Sequence, residues 1–430
     1  MTIERRYRLD SSVQRHGTVV IGGSPLKLFR LTAAGASLVD RLANGEPVPD
    51  STLTNALLAA GAIHPEPHGG RYTTSDVTIV VPTLGNPANV PPDAIVVDDG
   101  SQPAVPGATL RLAINQGPGA ARNAGLELVG TDLVAFVDTD VALPDGWLEP
   151  LIAHFDDDRV ALVAPRVRSA VVDSTVGRYE RDESPLDLGP EPGRVQAGSR
   201  VSYLPAAAIV CRADAIRSIG GFDAELRFGE DVDLVWRLCE AGWGCRYEPA
   251  GEVEHDVRPD VRAWLRQRIG YGSSAAALAQ RHPGALAPIR MSGWSAASWL
   301  LGAVGWPIVG GAVGAGSAAA LVRRLPDIPP MAALRLAGLG NAHAGAQIAA
   351  AVRRVWWPLL LVAALRSRSA RRVLVASFLA VRHPLRAVDD LAYSVGVWQG
   401  MWTERTLDPL VPEISSWPGR STPGPSAADR

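Results

Sequence analysis

Asp138 and Asp140 close the run LVAFVDTD (residues 133–140) with a single residue between them. Alternate residues of a strand share a face, but these two fall where the strand ends. A turn there brings both carboxylates to one divalent ion. Hard oxygen ligands favour Mg²⁺ or Mn²⁺, which commonly bridge protein carboxylates to substrate phosphates. The plainer alternative is capping and solvation after a strand. VVDDGS sets Asp98, Asp99 and Ser101 at another strand end. NQGPGAARNAG follows a third strand with Asn115, Gly117 and Gly119, then Arg122 and Asn123 one turn into a helix. Glycines there let backbone pass close to a ligand. Glu230 and Asp231 open a further helix. Acids at that position partner the helix dipole, as Asp233 also would, or stay ionised to take a proton from a substrate hydroxyl. His255 follows a predicted strand and is a candidate third metal ligand.

The elements that must hold these residues read as α/β. VTIVVP, AIVVDD, TLRLAIN and LVAFVD are short runs rich in β-branched residues, each ending in polar ones. Runs apolar on both faces suit a mostly parallel sheet with helices on both faces. Ligands bind such sheets at the carboxyl ends of the strands. The connection between the first two runs is about ten residues, short of a parallel crossover with a full helix. Residues 1–72 read as a small separate module. TAAGASLVDRLANG is an amphipathic helix capped by Thr32 and stopped at Gly45, STLTNALLAAG is a second helix, and RYTT is a returning strand. Strand–helix–helix–strand at this size suits a winged-helix-like module.

Beyond residue 257 the composition changes. Residues 261–390 carry 16 Arg against three Asp, a net of +13 hidden inside a chain total of −2. Met291–Val322 has no charge, and 294–322 is the candidate span, since roughly 20 apolar residues cross a bilayer. A buried Gly/Ala-rich hairpin is the alternative. WWPLLLVAAL and VLVASFLAV read as interfacial helices too short to span. Residues 258–415 are thus expected to be helical and membrane-associated, with anionic lipids as partners and the catalytic domain on the cytoplasmic side of the cell membrane. The tail 416–430 is expected to be disordered. No nucleic-acid module is present. Three cysteines without CxxC argue against disulfides and zinc. MTIERRYRLD lacks the apolar core of a secretory signal. No GxGxxG follows the first strand, which excludes a dinucleotide-binding dehydrogenase.

VTIVVPT, VVDDGS, NQGPGAARNAG, VAFVDTD, GGFD and GEDVDL, in that order over residues 77–257, resemble family 2 glycosyltransferases with the GT-A fold. The resemblance implies that Pro82, Thr83, Asp98 and Asp99 contact the nucleotide of a nucleotide-sugar. Ser101, Asn115, Gly117, Arg122, Asn123 and Asp138 also belong to the donor side. It implies a Mg²⁺ or Mn²⁺ ion on Asp138, Asp140 and His255. Asp231 is the implied base for the acceptor hydroxyl, with Glu230 its substitute, and the reaction inverts the anomeric centre. The QxxRW pattern of some members is absent; RQRIGYG only approaches it. VIGGSPLKLFRLTAAGASLVDRL ahead of this domain, with the apolar C-terminus, is similar to the mycofactocin-system glycosyltransferases. In that family the N-terminal unit resembles peptide-recognition modules. It implies β-1,4-linked glucose, from UDP-glucose, added to a peptide-derived redox cofactor. Two competing readings are a family 2 enzyme with a lipid-linked or cell-envelope acceptor, and an inactive GT-A binding module at the membrane.

Overall fold

The structure is a computed structural model, and it describes residues 4–67, 69–85, 87, 90–257 and 260–415. The expected disordered tail lies outside the described residues. The chain divides into two compact units, Met1–Trp264 and Leu265–Arg430.

The first unit begins with small antiparallel ladders. Gln14–His16, Val19–Gly22 and Lys27–Arg30 form a three-stranded sheet. The helix Ala33–Ala43 follows, with the Thr32 side chain accepting from Gly35 N. The helix Thr52–Ala59 is capped likewise by Ser51. Tyr7, Val20, Val39, Leu42, Leu57 and Ile63 are buried together as a core. The strand that returns is Ile63–Pro65, paired with Tyr7–Leu9, and not Arg71–Thr74 as RYTT suggested. This small module joins the catalytic sheet within one unit: Arg194 Nη1 donates to Ala59 O at 2.6 Å, and Arg200 N donates to Ser24 Oγ at 2.6 Å.

The large sheet runs in the order Leu110–Leu112, Ile95–Asp99, Val77–Thr83, Leu133–Val137, Ala208–Arg212, Val160–Ser169, Gly244–His255, Val141–Ala142. The first four strands are parallel. Ala208–Arg212 then runs antiparallel to Leu133–Val137 and to Val160–Ser169. The sheet is therefore mixed rather than mostly parallel. The reason is local: the chain re-enters beside the DTD strand from the opposite direction, after residues 195–207. Leu133–Val137 is wholly buried, as its unbroken apolar run requires. The helix Pro118–Leu126 packs so tightly on this sheet that a Cβ on Gly125 would lie 2.3 Å from Val80 Cγ1. Among the described residues, no helix lies between Thr83 and Ile95.

In the second unit the candidate span 294–322 is not one helix. Gly293–Ala303 and Pro307–Arg324 form a hairpin, turned at 304–306. Ser298 Oγ donates to Gly310 O at 2.8 Å, a contact that only a residue without a Cβ allows. Among the described residues, the helix long and apolar enough to cross a membrane is instead Pro330–Ala364. WWPLLLVAAL ends it rather than standing as a separate short helix. A π-helical turn, Val352–Trp356, carries the helix past two arginines. There Arg353 Nε donates to Asp390 Oδ2 at 2.7 Å, with both residues buried.

Candidate active site

The acids converge around one buried guanidinium. Arg122 projects from Pro118–Leu126 and is 2% exposed. Its Nη2 donates to Asp138 Oδ1 at 2.7 Å, and its Nη1 donates to Glu230 Oε1 at 2.7 Å. Phe222 supports it from below: the guanidinium carbon lies 5.3 Å from the ring centre, and that ring packs edge-on against Phe136 at 5.1 Å. Two opposite charges hold Arg122 firmly protonated against the cost of burial.

Asp138 sits in a turn. Its N–H donates to Ala207 O at 2.9 Å, which extends the ladder to the neighbouring strand by one residue. Burial raises its pKa, Arg122 pulls it back, and Asp140 raises it further. Asp140 starts the short strand Val141–Ala142, which pairs with the end of Gly244–His255. His255 Nε2 and Asp140 Oδ2 are thereby 3.4 Å apart.

Glu230 and Asp231 stand at the N-terminus of the helix Glu230–Glu240. Asp231 accepts from Ala206 N at 3.2 Å and from Val232 N at 2.8 Å. The Ala206–Ala207 segment thus touches Asp231 on one side and Asp138 on the other. Burial raises the pKa of both acids of this pair; the negative charge of Asp231 adds to the rise in Glu230, and Arg122 opposes it. Glu230 is buried and bound to Arg122, whereas Asp231 keeps some exposure. Of the two, Asp231 is the more exposed.

The loops beside this cluster are tied down by residues expected on the donor. Asp98 has no exposed surface: it accepts from Ser101 N at 2.8 Å and Val105 N at 3.1 Å. These bonds hold its pKa below the usual carboxylate range despite burial. It shapes the loop that follows the strand. Asp99 accepts from Gln116 N and Gly117 N at 2.7 and 2.8 Å, stitching the second strand to the glycine loop. Ser101 Oγ accepts from Gly85 N at 2.8 Å, and Thr83 Oγ1 donates to Gly85 O at 2.8 Å. Pro82 is buried in the same strand end. Asn115 Oδ1 accepts from Arg227 Nη1 at 2.5 Å. Asn123 is a bracket: its Nδ2 donates to Phe222 O and its Oδ1 accepts from Phe222 N. Gly221 has φ +75°, and a Cβ there would lie 2.4 Å from Asn123 Oδ1. Asp98, Ser101 and Asn123 thus each hold a loop or segment beside the cluster through hydrogen bonds within the chain.

Residue spacing did not reveal that Arg122 bridges the two acids, or that Phe222 and the Ala206–Ala207 backbone form the floor. An arginine between Ala121 and Gly125 on a helix otherwise facing the sheet was the available signal. Among the described residues, no group of three or more His, Cys, Asp or Glu side chains is arranged to hold a metal ion. The Asp140–His255 pair fits as a partial site. A carboxylate with an imidazole suits Mn²⁺ better than Mg²⁺, which prefers oxygen.

A mixed α/β sheet with acids gathered at its strand ends is the GT-A arrangement of a glycosyltransferase. The sequence model of Glycosyl transferase family 2 matches residues 91–217. Over 96% of its length the chain is 40% identical to the pre-mycofactocin glycosyltransferase of Mycobacterium tuberculosis, and it covers 97% of that protein. It belongs to the pre-mycofactocin glycosyltransferase family. A probable polypeptide N-acetylgalactosaminyltransferase 8 of Homo sapiens is 26% identical over 34% of this chain and 25% of its own. Among solved structures, a Pyrobaculum calidifontis mannosyltransferase in complex with GDP-Man and Mn²⁺ matches 76% of this chain and 87% of its own, at 16% identity and a TM-score of 0.43.

Proposed function

We propose that the protein transfers a hexose, glucose from UDP-glucose, onto pre-mycofactocin as a β-1,4-linked unit, with inversion and with dependence on Mg²⁺ or Mn²⁺. The observation that carries the reading is the Arg122 bridge. It ties Asp138 to Glu230 while Asp231 accepts from the same short backbone segment, which supports a donor side at Asp138 and an acceptor side at Asp231.

In this reading Asp231 accepts the proton of the acceptor hydroxyl. Burial raises its pKa, which makes it a stronger base than an exposed aspartate. Glu230 and Arg122 hold the helix N-terminus in place. Thr83, Asn115 and the Gly117 loop form the donor wall, shaped by Asp98, Asp99 and Ser101. Asp140 and His255, helped by Asp138, hold the divalent ion. When bound, that ion stabilises the charge that develops on the leaving diphosphate. No general acid is needed, because the diphosphate departs unprotonated; glycosidases, by contrast, pair an acid with a second carboxylate.

The test is mass spectrometry of products from a panel of nucleotide-sugars, offered with pre-mycofactocin or with a lipid-linked acceptor. A hexose added to pre-mycofactocin from UDP-glucose, and a β-anomer by NMR, is the expected result. Transfer only to the lipid-linked acceptor would replace this reading.

The second unit is proposed to attach to the cell membrane, with the catalytic unit on the cytoplasmic side. Apolar side chains such as Ile308, Leu365 and Leu379 are more than 70% exposed, alongside the excess of arginine. Anionic vesicles should sediment the protein and neutral ones should not. Equal recovery with both would remove the lipid partner.

A further inference from the structure

Away from the acids, within the first unit, a cavity of about 260 Å³ lies where the N-terminal module meets the catalytic sheet. Its walls come from both sides: Arg5, Tyr7, Leu58 and Pro65 from the module, His154 and Arg246 from the catalytic domain. Arg246 lies near the start of the strand Gly244–His255, and His255 ends it. Nine residues of strand separate the cavity from the catalytic end by roughly 25–30 Å. This is not the donor site.

Arg246 is the unusual feature. Its Nε is sealed from solvent without a hydrogen-bond partner. The guanidinium has no hydrogen bond or ion pair among the described residues, and burial lowers its pKa to about 10. Of the carboxylates, Asp157 acts on it most strongly. Asp157 is already shared by Arg5 at 3.3 Å and Arg159 at 2.9 Å. The other wall acids are engaged or exposed: Asp156 accepts from Arg71 N, Glu4 pairs with Arg41, and Glu66 faces solvent. His154 is bound to Glu248 at 3.0 Å, and burial lowers its pKa, so it adds no cation at neutral pH. Arg246 as a whole is half-buried and lines the cavity, so its guanidinium faces that space as a cation without a counter-ion, which a ligand there can supply. Arg5 and Arg6 add further cations to the lining, and Tyr7, Leu58, Pro65 and Val160 give it apolar surface. The size falls just under the range of about 300–1,000 Å³ typical of small-molecule sites.

We infer that this cavity binds a small organic carboxylate with an apolar stem, its carboxylate paired to Arg246 and its stem against Tyr7, Leu58 and Pro65. A planar guanidinium matches a carboxylate in two parallel hydrogen bonds. Such a ligand touches both the module and the catalytic domain, so its binding ties the two together.

The test uses the full chain and phenylacetate as probe, with phenylacetamide and inorganic phosphate as controls, by calorimetry and thermal melting. Phenylacetate is expected to bind and to raise the melting temperature, while phenylacetamide does neither. R246M should weaken phenylacetate binding at least tenfold. It should melt no lower than the wild type without ligand, because it removes a half-buried cation that has no ion pair. R246K, which keeps the charge but not the fork, should bind with intermediate affinity. Donor hydrolysis should be unchanged in both. No binding of phenylacetate, or equal binding by R246M, overturns the inference. Phosphate binding as tight as that of phenylacetate overturns the apolar stem.

Discussion

Replacing Arg122 by methionine isolates what the bridge contributes. The side chain keeps most of its apolar volume, so the helix and Phe222 retain their packing. What disappears is the positive charge between Asp138 and Glu230, each 2.7 Å from it. Breaking a buried ion pair from one side costs about 3–5 kcal/mol. Glu230 is nearly sealed, but the Asp138 side chain is a third exposed, and water screens that half of the interaction. The expected loss at pH 7 is therefore nearer about 3 kcal/mol than the sum of two pairs. It should depend on pH. Both carboxyls are already raised by burial, and Arg122 lowers both. Without it they rise further above their unfolded values. An acid raised on folding weakens stability above its unfolded pKa and recovers as pH falls through its folded pKa. The R122M deficit should thus shrink between pH 7 and pH 5.5. Urea unfolding of wild type and variant at the two pH values, followed by tryptophan fluorescence, measures it. A deficit below about 1 kcal/mol, or one equal at both pH values, would refute the bridge as the organiser of these acids.

Asp231→Asn should bind donor normally and lose about 10²–10⁴-fold in turnover, the range for a general base; near-full rate would move the role elsewhere. The acid limb of kcat/KM should lie above the ordinary aspartate value of about 3.9, because burial raises the group and the base must be ionised to act. A limb at or below that value would count against Asp231. Gly221→Ala forces a Cβ onto Asn123 Oδ1 at a left-handed backbone position. It should destabilise by more than the roughly 1 kcal/mol of the backbone effect alone, which a melting series with Asn123→Ala would check.

The strand ends were legible because they are local. LVAFV can only be a buried strand, and the two aspartates after it had to emerge at its carboxyl end. The helix starts at Thr32 and Glu230 were equally local. Which acids meet which cation was not, since Arg122 reaches Glu230 across 108 positions of chain. DDGS reads as ligand chemistry because Asp98 is acidic; the two backbone N–H groups its oxygens accept from, which close the turn, were not legible. The uncharged stretch 294–322 misled for a different reason. It is rich in small residues, and Pro307 starts a new helix instead of continuing one. Pro330–Ala364 was hidden by Arg353 and Arg354, whose charge is absorbed by Asp390 from another helix.

Charge balance gives the last prediction. Asp138, Asp140, Glu230 and Asp231 are four carboxylates, and Arg122 is the buried cation that pairs with two of them. Arg122 is spent on two of them. A nucleotide diphosphate brings at least two further negative charges to the same place. Repulsion at these separations is worth several kcal/mol in a partly desolvated site, enough to suppress binding. Asp140 and His255, 3.4 Å apart and held by paired strands, are the groups proposed to recruit a compensating cation. Their affinity for it should be modest without the donor, because only two ligands are in place. Metal and donor should therefore bind cooperatively: UDP should tighten Mn²⁺ binding by the same factor by which Mn²⁺ tightens UDP. Calorimetric titrations in both orders give the two factors. His255→Gln should reduce both by about tenfold or more, by analogy with the cost of disturbing metal-site ligation. UDP affinity that is the same with Mn²⁺ and with chelator would show that the protein, not an ion, neutralises the diphosphate, and would direct attention to Arg227 beside Asn115.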